Sequence, residues 1–204
     1  MSDSYLICQF HTTRSRLLAS YKRIFQLWND SVVTLDPSNF KETNKFLYSL
    51  IKDVKEDSSN MEKFSLTLKD GTIHWYQAEY RSYIICKLKE CIHKYQEDHN
   101  IITPNYISSQ RVHKNGSNTN VLIAITSYGI VEYHNDTKLL IKEYGYVNIE
   151  SIATDEHQRA IIFTYSGRMK AFIINYDFNN ILESLEKLLR HIYMPLTLKR
   201  GVNL

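Results

Sequence analysis

Four cations fall within ten residues near the N-terminus: Arg14, Arg16, Lys22 and Arg23. The hydroxyls of Thr12, Thr13, Ser15, Ser20 and Tyr21 stand among them. Guanidinium forks and hydroxyls suit an oxyanion with several acceptor oxygens, phosphate above all, because a fork can grip two of those oxygens at once. Strand alternation puts Lys22 on the opposite face from Tyr21 and Arg23, so Arg14, Arg16 and one of Lys22 or Arg23 can gather around one anion. Arg14 and Arg16 are the expected phosphate ligands, Tyr21 would position the anion through hydroxyl and ring, and Lys22 and Arg23 would serve as backing charge. Leu17 and Leu18 in the middle of the stretch are either a small wedge into lipid or a pair that folds back onto the domain. The plainer alternative is a solvated basic loop. At about 1 kcal/mol per cation near an anionic surface, the cluster supplies roughly 4 kcal/mol, a millimolar-scale attraction that tunes membrane binding rather than securing it alone.

Other chemistries find little support. There is no serine in a glycine elbow, no His-x-x-x-His pair, no cysteine beside a positioned histidine and no phosphate-cradling glycine motif. Asp53, Glu56 and Asp57 read as a solvated acidic loop without the desolvation a general acid needs. His74 sits beside Trp75 as a structural or surface residue, and His93 and His191 lie on helical stretches without ligand-spaced partners. No catalytic residue, metal site or cofactor is expected. Cys8, Cys86 and Cys91 read as reduced core thiols, which fits a cytosolic chain. The 15 tyrosines fall at regular strand and helix positions rather than along one basic face, and the formal charge of +3 is too small to establish a polyanion partner, so nucleic acid is not an expected ligand.

The elements that must position the basic cluster come in two copies. Tyr48, Ile51 and Val54 fall opposite Tyr146, Ile149 and Ile152, and Gly71 opposite Gly167, at an offset of roughly 97 residues, long enough for each copy to hold its own core. In the first copy, 5–10, 21–28, 31–35, 44–50, 63–68 and 72–80 read as strands. The helical period follows from Arg81 to about Gln96, with Ile84, Ile85, Leu88, Ile92 and Tyr95 on one face. Six strand stretches recur between 106 and 175, then a helix from about Asn179 to Ile192 with Ile181, Leu182, Leu185, Leu188, Leu189 and Ile192 inward, stopped by Pro195. Leu196–Arg200 makes one more short alternating stretch. The boundary lies at His99–Pro104, which places the domains at 1–100 and 104–204. The second copy's equivalent of the basic stretch, Arg111 to Asn118, has two fixed cations and a histidine and is the weaker candidate. The apolar runs are too short to span a bilayer. The expected fold is β-rich α+β: two tandem units, each a curved antiparallel sheet of about seven strands closed by a C-terminal helix. This resembles the pleckstrin-homology superfold, which hosts lipid binders, peptide binders and structural modules alike.

Particular residues carry a closer resemblance. Thr12-Thr13-Arg14, Tyr21-Lys22-Arg23-Ile24-Phe25, Val33-Thr34-Leu35-Asp36-Pro37 and Glu42-Thr43-Asn44 resemble the N-terminus of the receptor-mediated-endocytosis-eight family of large endosomal J-domain proteins. The resemblance runs through Ser82–Tyr95 to Thr197–Arg200, and its first fifty residues are the specific part. It implies a pleckstrin-homology-like module that binds phosphatidylinositol 3-phosphate and holds the chain peripherally on early endosomes, with Arg14, Leu17, Tyr21 and Arg23 at the family's lipid-binding positions. The chain departs at Leu17, where the family has Trp, and at Leu18 and Ser20, where it has further basic residues. The family's J domain works with a heat-shock-70 chaperone through a His-Pro-Asp signature that this sequence lacks. Expected partners are therefore the phosphoinositide-bearing endosomal membrane, and other regions of a larger chain or trafficking proteins. The alternative function is a protein-interaction or scaffolding module that binds no specific lipid.

Overall fold

Seven strands and one helix follow one another in the first unit: β1 (Leu6–Arg16), β2 (Ala19–Trp28), β3 (Ser31–Leu35), β4 (Glu42–Leu47), β5 (Ile51–Glu56), β6 (Lys63–Leu68), β7 (Ile73–Gln77) and α1 (Arg81–Asp98). The second unit repeats the series as β8 (Ile107–Val112), β9 (Asn118–Ile125), β10 (Gly129–His134), β11 (Leu140–Gly145), β12 (Ile149–Asp155), β13 (Ala160–Tyr165), β14 (Arg168–Ile174) and α2 (Phe178–His191). A short β15 (Leu198–Lys199) follows. This computed structural model describes residues 4–16, 19–191 and 198–199. The chain divides into units Met1–Ile102 and Thr103–Leu204.

The first sheet is antiparallel, in the order β4-β3-β2-β1-β7-β6-β5. Its two edge strands, β4 and β5, are joined by the single 3-10 turn Tyr48–Leu50. Seven strands laid flat span about 29 Å at their ordinary spacing, whereas three residues reach about 10 Å, so the sheet has to curl until its edges meet at that corner. Tyr48 fixes the corner by donating its hydroxyl to the Trp28 carbonyl at 2.7 Å. The second sheet curls for the same reason, through the turn Tyr146–Asn148. Its order is β11-β10-β9-β8-β14-β13-β12-β15, with β15 parallel to β12 and covering that edge.

Each curled sheet packs its concave face around aromatic rings. Phe25, Phe64 and Tyr76 are fully buried in the first unit, with Phe25 and Tyr76 edge to face at 5.0 Å. In the second, Tyr144, Phe163 and Phe172 do the same work, with centroids 5.1 Å apart for Tyr144 and Phe163. The helices close the open side. Helix α1 buries Ile84, Ile85 and Leu88 and keeps Lys87 and Lys94 wet on Glu90, while α2 buries Leu182, Leu185 and Leu189.

Three expectations need correction. Thr12–Arg16 and Ala19–Ser20 are strand rather than loop: β1 runs on to Arg16 and β2 begins at Ala19, so Arg14, Tyr21, Lys22 and Arg23 stand on a two-stranded ribbon. Asp53 and Glu56 do not lie in an acidic loop but in β5, with Asp57 just after it. Strand β5 and its counterpart β12 escape the alternation pattern because a bulge shifts the register, between Ile51 and Asp53 in one and between Ile149 and Ser151 in the other. Leu17, Leu18, Ile192, Pro195 and Leu196 lie outside the described residues.

Candidate functional site

The β1–β2 ribbon decides which side chains share a face. Its register pairs Thr12 with Arg23, Thr13 with Lys22, Arg14 with Tyr21 and Arg16 with Ala19. Arg14 also sits opposite Tyr76 of β7, a fully buried core ring. Alternation therefore puts Thr12, Arg14, Tyr21 and Arg23 on the concave face, at the end of the sheet where the β1–β2 and β6–β7 turns lie. Lys22 and Thr13 belong to the convex face, and Lys22 is exposed. Arg16 continues the concave-face line in the backbone register.

The two concave-face arginines are held differently. Arg14 is nearly buried, at 8% exposed, and its Nη2 lies 2.7 Å from His74 Nδ1. A guanidinium can only donate, so Nδ1 accepts and the His74 ring carries its proton on Nε2. The ring is fixed in turn against Phe46, centroids 4.6 Å apart. His74 is the site residue that the sequence left as merely structural; its place one strand from Arg14 depends on β1–β7 pairing, which local pattern does not reveal.

Arg23 Nη1 donates to the Lys22 carbonyl at 2.6 Å and lies 4.0 Å from Asp36 Oδ2, and its guanidinium carbon is 5.3 Å from the centre of the Tyr21 ring. At 4.0 Å the Asp36 contact is beyond hydrogen-bond reach and easily exchanged for a better acceptor. Asp36 stays ionised: the Ser38 hydroxyl and amide, and more weakly Arg23, hold its carboxyl below the usual range. Arg23 Nε and Thr12 Oγ1, which face each other across the ribbon, are both buried without a hydrogen-bond partner among the described residues. Buried polar groups in that condition ask for an explanation.

The structure thus brings Arg14, Tyr21 and Arg23 together and leaves Lys22 on the far side. Among the described residues, no cluster of His, Cys, Asp and Glu is arranged to hold a metal, and no helix is long and apolar enough to cross a membrane. In the second unit's equivalent stretch, Arg111 lies on β8 and reaches Glu132 at 3.2 Å, while His113 meets Thr119 at the β8–β9 turn.

Residues 9–95 match the family model described as the DNAJ protein RME-8 N-terminal domain. No curated protein matches the chain. Similar solved structures include the C-terminal domain of an unknown protein from Leishmania infantum, at 13% identity, 44% of this chain, 85% of that one and a TM-score of 0.40. A Slm1 PH domain in complex with phosphoserine matches at 14% identity over 45% of this chain and 96% of that one, TM-score 0.37. The DH/PH fragment of PDZRHOGEF, crystallised with human RhoA, matches at 10% identity over 46% of this chain and only 29% of its own, TM-score 0.40.

Proposed function

We propose, from the match of residues 9–95 to the family model of the DNAJ protein RME-8 N-terminal domain, that the first unit binds the phosphorylated headgroup of phosphatidylinositol 3-phosphate and holds the chain peripherally on early endosomes. The observation that carries this reading is the shared concave face of Arg14, Tyr21 and Arg23 at the mouth of a curled sheet. Arg14 is pre-aimed by His74, and Arg23 has a loosely paired guanidinium. A phosphomonoester offers these donors further anionic acceptor oxygens and replaces the distant Asp36 contact. Arg16 extends the same line of the ribbon, and Lys22 on the convex face contributes long-range charge only. Leu17 and Leu18 are the candidates for bilayer contact, and with Leu rather than Trp at position 17 that contact is weaker than an interface-seeking ring would make.

Liposome flotation tests the reading. Vesicles carrying phosphatidylinositol 3-phosphate float the parent chain, and the double variant Arg14→Ala, Arg23→Ala stays behind, with unchanged thermal unfolding of the first unit as the folding control. Lys22→Ala weakens flotation by about fivefold, the value of one cation near an anionic surface. Phosphatidylserine vesicles of equal charge bind poorly throughout. Equal flotation with both vesicle types would reduce the site to nonspecific electrostatics. Failure with both would favour the interaction-module alternative, in which an extended peptide adds to a sheet edge.

A further inference from the structure

The second unit contains a cavity of about 400 Å³ whose wall carries Arg111 from β8, Lys142 from β11, and Arg168 and Lys170 from β14, with the Tyr144 and Tyr165 rings between them. Arg111 lies opposite Phe172, Lys170 opposite Phe163 and Lys142 opposite Glu132. Phe172, Phe163 and Glu132 are all buried, which puts these cations on the concave face. They sit at the end where the β8–β9, β10–β11 and β13–β14 turns lie. The last of these is a two-residue turn with Ser166 and Gly167 both at positive φ, which brings Tyr165 and Arg168 directly opposite one another.

One carboxylate stands behind four cations. Glu132 is fully buried, accepts the Tyr144 hydroxyl at 2.7 Å and takes Arg111 Nη1 at 3.2 Å. It fixes Arg111 and Tyr144 in place without balancing the wall. Glu150 on β12 accepts the Gly167 amide at 2.8 Å. The side chains of Lys142, Arg168 and Lys170 form no ion pair or hydrogen bond among the described residues. Burial, and after it the Arg111 charge, push the Lys170 ammonium down from its ordinary range. Like charges converging on a hollow with walls of low dielectric raise the local anion concentration and are relieved by a bound anion.

We infer that this cavity is a second site for a phosphomonoester, independent of the one at the first unit, with Arg111 and Lys170 as its inner ligands and Lys142 and Arg168 as its rim. The same anion can arrive on a lipid headgroup or on a soluble inositol phosphate. The surroundings predict the lipid: Leu139, Leu140 and Met169 stand 65%, 54% and 64% exposed beside the β10–β11 and β13–β14 turns at the same end of the sheet. Exposed apolar side chains at the same end of the sheet as a cationic hollow suit a phosphorylated headgroup held at a bilayer surface.

The test uses the full chain and two probes, inositol 1,3-bisphosphate by calorimetric titration and phosphatidylinositol 3-phosphate in phosphatidylcholine vesicles by flotation. In the Arg14→Ala, Arg23→Ala background, which isolates the second unit, a binding site for inositol 1,3-bisphosphate remains. Adding Lys142→Ala and Lys170→Ala lowers its affinity about 25-fold, at about fivefold per cation. Flotation of the first-site variant that is lost in Leu139→Ser, Met169→Ser with calorimetric binding intact assigns the anion to a lipid, whereas calorimetric binding by the first-site variant without any flotation assigns it to a soluble phosphate. In the parent chain, titration should shift the backbone amide resonances of 166–170, a readout that needs no variant to fold. The inference is overturned if the first-site variant binds neither probe, if the lysine substitutions change nothing, or if those amides stay still. An unaltered first-site variant would instead remove the reading of the first unit and leave this one standing.

Discussion

Glu132→Gln should separate stability from ligand affinity in opposite directions. The carboxylate is fully buried, bonded to Tyr144 at 2.7 Å and to Arg111 at 3.2 Å, with Arg111 itself 30% exposed. Gln keeps an acceptor for the Tyr144 hydroxyl but gives up the charge-assisted bond to Arg111, which at such a half-open pair is worth about 1.5–3 kcal/mol at most. For a domain of this size each kcal/mol moves the midpoint by about 4–8 °C, so the second unit's thermal transition should fall by roughly 5–20 °C. An anion in the cavity, by contrast, loses a repulsive neighbour. With an effective dielectric constant of about 20 and a separation of about 8 Å, set by diagonal strand geometry, that repulsion is about 2 kcal/mol, and about 1 if water doubles the screening. Affinity for inositol 1,3-bisphosphate should therefore rise about fivefold to thirtyfold as the midpoint falls, read by calorimetry and by circular dichroism on the same samples. Tyr144 supplies a second readout: burial first, then its bond to Glu132 and the Glu132 charge, hold its phenol above the usual range, and the substitution should bring it down in a spectrophotometric titration. A midpoint that falls with unchanged or weaker anion affinity would refute the reasoning, because it would mean that Glu132 stabilises the fold without its charge reaching the cavity.

Arg81→Met should cost the first unit about 3–5 kcal/mol in chemical denaturation, since Arg81 is 1% exposed, donates to the carbonyls of Asp57, Asn60 and Lys63 at 3.0, 2.7 and 3.1 Å, and leaves Glu56 without its cation 3.6 Å away. Adding Glu56→Gln should recover part of the loss, and a single-variant cost below about 1 kcal/mol would contradict the buried-pair account. Burial pushes the Cys86 thiol up to about 12 and the Cys91 thiol up to about 11. Because the thiolate is the nucleophile, iodoacetamide at pH 8 should label both far more slowly in the native chain than in denaturant, with Cys91 gaining first as pH rises toward 11. Mass spectrometry of the labelled peptides checks this, and native Cys86 labelling at the denatured rate would contradict it.

How much of this was legible before coordinates depends on whether the signal was local. Amphipathic stripes such as Ile84, Ile85 and Leu88 announced α1. The bulged strands β5 and β12 were hidden because a one-residue shift turns a period of two into the irregular burial of Ile51 and Val54. The alternation that puts Lys22 opposite Tyr21 and Arg23 was readable, since it needs only one strand. That Arg14 would meet His74 was not, because it needs the pairing of two strands far apart in the chain.

The second unit's cavity shows the same limit more sharply, and also how the repeat lifts it. Arg111, Lys142 and Lys170 never fall in one sequence window, so a search for basic runs ranks Arg111 to Asn118 below the N-terminal cluster. Carried through the two registers, however, Arg111 stands one repeat after Arg14, since each lies opposite a buried core ring, Phe172 or Tyr76. Lys170 likewise answers to His74, Lys142 to Asn44 and Glu132 to Thr34. At corresponding concave-face positions the first unit therefore has one arginine with neutral neighbours and adds Arg23 from β2. The second has an arginine with two lysines and a buried acid that restrains it. A cation count along the chain favours the first unit, whereas a count over one face of the curled sheet favours the second. Face-wise counting is the relevant one for a ligand, because an anion meets every strand at the mouth at once, and it is why substitutions at Lys142 and Lys170 should matter as much to anion capture as those at Arg14 and Arg23.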